Sequence, residues 1–295
     1  MAGRTPRRFN YEVSHENIWN YLTNNAEIQT LAKQGEISKI NQYLKKEIQL
    51  ALTDPQHPLN HAMIQDKGFF NVKGIGGKDT TNLLQKQQYN RMLEESVDGI
   101  KAMLNNAQGL DLLSKGAIAD TVGTTGGKAD LVYKLGDNVV LKQSLKKGQS
   151  VLYSGEKAFS NSLLESLKKT VKDPTQLNQA LEELNTFVTK LTGTKGQSSL
   201  EQKLLLPEYQ NQLNAIFDKY PGLDRALNLR EVGDVDNVLY IGGRKSAVLN
   251  PEEAIEYIKK IRLRTAKGQG RPMSVVGDIF NKEPPINLNH VWNFQ

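Results

Sequence analysis

Gly126 to Glu156 reads GGKADLVYKLGDNVVLKQSLKKGQSVLYSGE. Lys128 to Leu135 alternates as a strand does, Gly136-Asp137-Asn138 has turn chemistry, and Val139 to Lys146 reads as the return strand of a hairpin. Side chains two apart on a strand share a face. Ser144 and Lys146 therefore point one way, and Leu141, Gln143 and Leu145 the other. Asp130 shares its face with Lys128 and Val132. A polar pair on an open face with an apolar row behind it is the arrangement a site on a sheet requires. The run Gly123-Thr-Thr-Gly-Gly-Lys128 is not a phosphate loop. It is one residue short of the required spacing, lacks a hydroxyl residue after the lysine, and leads into a strand where a helix is needed.

The bulk composition sets limits. With 295 residues the chain is long enough for one large domain or two modest ones, and Lys plus Arg exceed Asp plus Glu by 38 to 32. That surplus favours a polyanionic partner, weakly. There are no cysteines, which excludes disulfides, thiolate metal sites and cysteine nucleophiles and fits a reducing compartment. No apolar run approaches the ~20 residues that span a bilayer. The basic start MAGRTPRRFNYEV has no apolar stretch after it, so it does not read as a secretory signal. The expectation is a soluble, cytoplasmic protein with no membrane partner.

Upstream of the hairpin the periodicity is helical. Helices are expected from Ser14 to about Leu31, from Ile37 to Leu52, and from Thr80 to about Asn105. Residues 114–127 read as a flexible loop entering the core. His57 and His61 are four apart, but Pro55 and Pro58 interrupt the helix that would align them as metal ligands. Downstream, helices are expected over 156–171, 174–191 and 205–229, the last broken at Pro207 and Pro221. Val238 to Ile241 reads as a core strand. Asn250-Pro251-Glu252-Glu253 is a strong helix start.

Hydrolysis of a phosphodiester needs a polarised phosphate, a deprotonated water and help for the leaving oxygen. Mg²⁺ suits such work because it takes hard oxygen ligands, keeps several waters and needs one or two protein carboxylates. Asp130 is the first candidate ligand. Lys146 can hold or help deprotonate the attacking water. Ser144 stands where a second acid is most expected.

Asp130 in one strand and Ser144-Leu145-Lys146 in the next resemble the PD-(D/E)XK nuclease superfamily, in particular its phage-encoded and type II restriction-like members. Ala129 replaces the proline before the aspartate, and Ser144 replaces the acid two before the lysine. The resemblance covers about thirty residues. It implies a mixed sheet flanked by helices, Mg²⁺ as cofactor with Mn²⁺ as substitute, and DNA as substrate. It also implies a glutamate relocated to the following helix, for which Glu156 is the match and Glu165 the substitute. The helix before the first site strand often lends a carboxylate in that family, which points to Glu94 or Glu95.

The second half adds a basic stretch. Lys259, Lys260, Arg262, Arg264, Lys267 and Arg271 extend from the expected helix into a glycine-rich segment, beyond what helix capping requires. They are the candidate contacts to a phosphate backbone. Arg262 and Arg264 alternate with Ile261 and Leu263, which also suits a strand with one charged face. The architecture expected is α/β of the restriction-endonuclease-like type, with a helical N-terminal region over 1–79, a core over 80–295 and a helical insertion over about 172–230. The function expected is metal-dependent DNA cleavage, by a homodimer if both strands are cut. The alternatives are a non-catalytic nucleic-acid-binding protein and a viral accessory or structural protein.

Overall fold

The computed structural model describes residues 10–66, 82–122, 129–147, 156–232, 234–242, 245–256, 258–265 and 271–279. In chain order, six helices lead in: α1 Tyr11–Thr23, α2 Ala26–Lys33, α3 Ile37–Thr53, α4 His61–Asp66, α5 Asn82–Leu104 and α6 Ala107–Ser114. Strands β1 Ile118–Thr121, β2 Leu131–Leu135 and β3 Asn138–Lys147 follow. Helices α7 Glu156–Thr170, α8 Pro174–Gly193, α9 Ser199–Lys219 and α10 Leu223–Val232 come next. The chain continues through β4 Asn237–Gly242, β5 Lys245–Leu249, the short α11 Pro251–Glu256, β6 Ile258–Arg264 and β7 Ser274–Ile279. This is a mixed α/β protein, with a five-stranded sheet in the order β1-β2-β3-β4-β5.

The described residues form two compact units, residues 10–147 with Val235–Leu249 and residues 156–234 with 250–279. In the first unit the β2–β3 hairpin forms as its pattern dictates. Leu135 pairs with Asn138 across Gly136 and Asp137, and Gly136 takes φ 60°, a left-handed value that glycine adopts without steric cost. Strands β3 and β4 are parallel, whereas β1–β2, β2–β3 and β4–β5 are antiparallel. Residues 1–79 had the pattern of a separate helical region. Helices α1 to α4 instead share one buried cluster with α5, α6 and the sheet, joining Trp19, Leu44 and Ile64 to Leu93, Leu131, Leu141 and Leu239.

Two local signals account for departures from the expected helices. Asn10 caps α1, its side chain accepting from the Val13 N–H at 2.9 Å, so the helix begins at Tyr11, three residues ahead of the expected start. Asn25 caps α2, accepting from the Glu27 N–H at 2.9 Å, so the single helix expected over 14–31 is two. The segment expected as a loop holds the end of α6 and all of β1. Strand β1 lies at the sheet edge, and its backbone is satisfied by α1. Asn20 donates to the Ala119 carbonyl and accepts from the Ala119 N–H, both at 2.8 Å. Glu16 accepts from the Thr121 N–H at 2.8 Å, and the Trp19 indole donates to the Ala117 carbonyl at 2.8 Å. An edge strand otherwise presents open donors and acceptors to other chains.

A second tie crosses the inner face of the sheet. His15 Nε2 lies 2.9 Å from the Tyr133 hydroxyl, which donates to Gln143 Oε1 at 3.0 Å. Gln143 Nε2 donates onward to Asn237 Oδ1 at 2.8 Å. Because Tyr133 donates to Gln143, His15 must be the donor to Tyr133, which fixes its neutral tautomer with the proton on Nε2. The ring is fully buried, and burial pushes its pKa down to about 3.

The second unit is helical around its own core of Leu167, Leu184, Phe187, Leu213 and Leu227. Pro207 lies inside α9 without ending it. The helix expected to run through Arg264 stops at Glu256, and the chain then forms β6, paired antiparallel with β7. Ile261 and Leu263 face that unit's core, which a helix carrying them two apart does not allow. Gln210 of α9 closes the edge of β6, accepting from the Leu263 N–H at 2.8 Å and donating to the Ile261 carbonyl at 3.3 Å.

The unfolded chain protonates His15 near pH 6.5 and the folded chain near pH 3. Its contribution is therefore fully present above pH 6.5 and declines as pH falls toward 3, at up to roughly 1.4 kcal/mol per pH unit. Urea unfolding at pH 7.5, 6 and 5 is expected to show this loss in the wild type and a flatter profile in His15→Gln; equal slopes would contradict it. A Cβ at Gly109 would sit 2.2 Å from the Met103 carbonyl oxygen. Gly109→Ala is accordingly expected to lower stability by about 1–3 kcal/mol, whereas Gly193→Ala, in open space, serves as the control in the same titration.

Candidate active site

Asp130 ends the segment that enters β2. Its N–H donates to the Gln143 carbonyl at 2.9 Å and its carbonyl accepts from the Val122 N–H at 3.1 Å, so its backbone is pinned on both sides. The sequence placed Asp130 within the strand; it stands one residue before β2, on the same face as the β3 side chains. Three donors from β3 converge on its Oδ2: the Ser144 hydroxyl at 2.8 Å, the Leu145 N–H at 2.7 Å and Lys146 Nζ at 3.3 Å. Ser144 is buried, while Asp130 and Lys146 keep 30% and 21% of their side-chain surface exposed. The pair is thus screened from bulk water but open to a small ion or a phosphate.

Alternation along β3 produces this arrangement as expected. Leu141, Gln143 and Leu145 are buried on the opposite face, where Gln143 joins the His15 chain. On the parallel neighbour β4, Val238 is the register partner of Ser144 and Tyr240 that of Lys146. Both are buried, and desolvation pushes the Tyr240 hydroxyl pKa up. Ser144 does not act as a stand-in ligand. Its hydroxyl donates to the carboxylate, so it orients Asp130.

The carboxylate that the sequence reading missed is Glu12, in the first turn of α1. Burial holds its carboxyl above the usual range; its own N–H pulls it back, the charge of Asp130 raises it further, and Lys146 lowers it. Glu12 is therefore within electrostatic reach of both members of the Asp130–Lys146 pair, in the same unit. A signal was present in the sequence, because Glu12, Glu16 and Asn20 recur every four residues as a polar stripe. Nothing local, however, says which strand such a stripe meets.

The other candidates are placed as follows. Glu95 accepts from Arg91 Nε at 3.0 Å and from the Tyr11 hydroxyl, which brings it beside the start of α1. Glu94 is exposed. Glu156 opens α7 in the second unit, and its side chain, and with it any approach to Asp130, lies outside the described residues. Glu165 is exposed and paired with Lys168 at 3.3 Å. Lys259 and Lys260 lie on β6 with side chains outside the described residues, as is Lys267. Arg262 and Arg264 are half-buried on β6, alternating with buried Ile261 and Leu263, and Arg271 is exposed. His57 is taken by Glu47, Nε2 to Oε2 at 3.1 Å, while the His61 ring meets Tyr89 edge-on.

Among the described residues no group of three or more His, Asp or Glu side chains is arranged to hold a metal ion. Two carboxylates, Asp130 and Glu12, still match what Mg²⁺ requires when water completes its shell. A half-buried carboxylate raised first by desolvation and further by a like charge is also a group that a divalent cation would stabilise. The donor set fits a hard cation. Comparison with family models, with curated proteins and with solved structures returned no match for this chain.

Without divalent ions, Glu12 is a partly desolvated carboxylate whose pKa burial raises. Glu12→Gln is therefore expected to raise stability in the presence of a chelator, by roughly 0.5–2 kcal/mol. Urea unfolding in EDTA measures it, and a loss of stability would mean that the carboxylate is held by favourable contacts.

Proposed function

We propose that the chain is a metal-dependent nuclease that hydrolyses phosphodiester bonds in DNA, of the PD-(D/E)XK type that its hairpin resembles. One observation carries this reading: Ser144, the Leu145 N–H and Lys146 converge on one oxygen of Asp130, with Glu12 in electrostatic reach. Asp130 and Glu12 would hold Mg²⁺, or Mn²⁺ in its place. When bound, the ion supplies Lewis-acid polarisation of the phosphate and a water acidic enough to attack near neutral pH.

The remaining work falls to the chain's own residues. Ser144 and the Leu145 N–H orient Asp130 by donating to Oδ2. Lys146 offsets phosphate charge and holds the attacking water by donating to its oxygen from Nζ. The hairpin backbone fixes these groups relative to one another, so little reorganisation is needed when charge develops. Arg262, Arg264 and Arg271, with Lys259, Lys260 and Lys267, offer positive charge for the nucleic-acid backbone. Cleavage of both strands would require two copies of the chain.

The serine in place of the usual acid favours a second reading, a protein that binds nucleic acid without cutting it. Incubation of plasmid, linear and single-stranded DNA with Mg²⁺ or Mn²⁺ separates the two. Cleavage is expected in the wild type, with loss of at least about 100-fold in Asp130→Ala and Lys146→Ala. Wild-type activity in both variants would remove the site assignment. Binding without cleavage would establish the second reading.

A further inference from the structure

The polar stripe on α1 and the edge of β1 have matching repeats. Four residues of helix advance about 6.0 Å, and two residues of strand about 6.7 Å. Asn20 sits on Ala119 and Glu16 on Thr121, so helix and strand run in opposite directions, one rung to each pair of strand residues. The next rung of the helix is Glu12. Strand β1 ends at Thr121, and the N–H of the next residue, Val122, donates to the Asp130 carbonyl at 3.1 Å. The registration therefore delivers Glu12 to the level of Asp130, in agreement with the influence of Asp130 and Lys146 on Glu12.

We propose that Glu16 and Asn20 are positioning residues: by docking α1 on the open edge of β1 they set the Glu12 carboxylate beside Asp130 to complete a divalent-cation site. The proposal rests on the reading of Asp130 and Glu12 as a metal-binding pair. Asn20 is the stronger anchor, because its amide matches both the donor and the acceptor of one strand residue and tolerates no sliding along the strand. Glu16 adds a charge-assisted bond to the Thr121 N–H. Edge protection by itself predicts a role for these residues in solubility and stability, but none in ion affinity.

The test is calorimetric titration of the full chain with Mg²⁺, and separately with Mn²⁺, in the wild type, Asn20→Leu, Glu16→Ala, Glu12→Gln and Asp130→Asn. Residues that orient ligands from outside the coordination shell typically carry about 10- to 100-fold in metal affinity. Asn20→Leu and Glu16→Ala are expected to weaken binding by that factor, and Asn20→Leu is expected to add nothing in the Glu12→Gln background. Asn20→Asp keeps the acceptor for the Ala119 N–H and replaces Asn20→Leu if the latter fails to fold, with a smaller loss expected. If the wild type binds through Asp130 but the Asn20 and Glu16 variants lose only thermal stability and bind as tightly, the positioning role is overturned and the metal reading stands. If the wild type binds neither ion, both are overturned.

Discussion

An edge strand must have its backbone groups met, and in the first unit that requirement decides where α1 lies. Strand β1 has β2 on one side and, on the other, the side chains of Glu16, Trp19 and Asn20 in place of a further strand. Four hydrogen bonds, all at 2.8 Å, fix the axial register of the helix as a paired strand would. An N-terminal helix remote in sequence from the hairpin becomes part of its surroundings. The second unit meets the same requirement the same way, with Gln210 of α9 spanning the donor and acceptor of β6.

The other face of α1 is held by the chain of hydrogen bonds from His15 through Tyr133 and Gln143 to Asn237. Buried polar groups are costly unless paired, and each link here is paired with the next. The chain joins α1, β2, β3 and β4 beneath the face that carries Asp130 and Lys146. Trp19 packs edge-on against Tyr133, with ring centroids 5.0 Å apart, filling the space beside it. The exception is His15 Nδ1, which has no partner among the described residues. Such a network resists sliding between strands, because a shift of one residue would orphan several buried groups together.

Electrostatics on the open face point to chemistry more than to stability. Three donors hold one oxygen of Asp130, and a second carboxylate is kept nearby at the cost of desolvation. Burial and the charge of Asp130 raise the Glu12 carboxyl, while its own N–H and Lys146 lower it, so it belongs to the same electrostatic group as the Asp130–Lys146 pair.

Period-two alternation was sufficient, by itself, to determine the β2–β3 hairpin, its turn at Gly136 and the division of β3 into a face with Ser144 and Lys146 and a face with Gln143. Period-four apolar repeats likewise marked α3, α5, α7 and α8. Strands β1, β5 and β7 escaped although each pairs with its neighbour along the chain, because runs of four to six residues carry too few alternations to stand out. Strand β6 was first legible as the tail of a helix, since Ile258 and Ile261 are three apart, a helical spacing, whereas the core takes Ile261 with Leu263, two apart. The site divided the same way. Asp130, Ser144 and Lys146 lie within one hairpin, where spacing fixes geometry. The proximity of Glu12 depends on a helix docking against an edge strand more than ninety positions away, and only long-range packing and hydrogen bonding could decide which carboxylate faces Asp130.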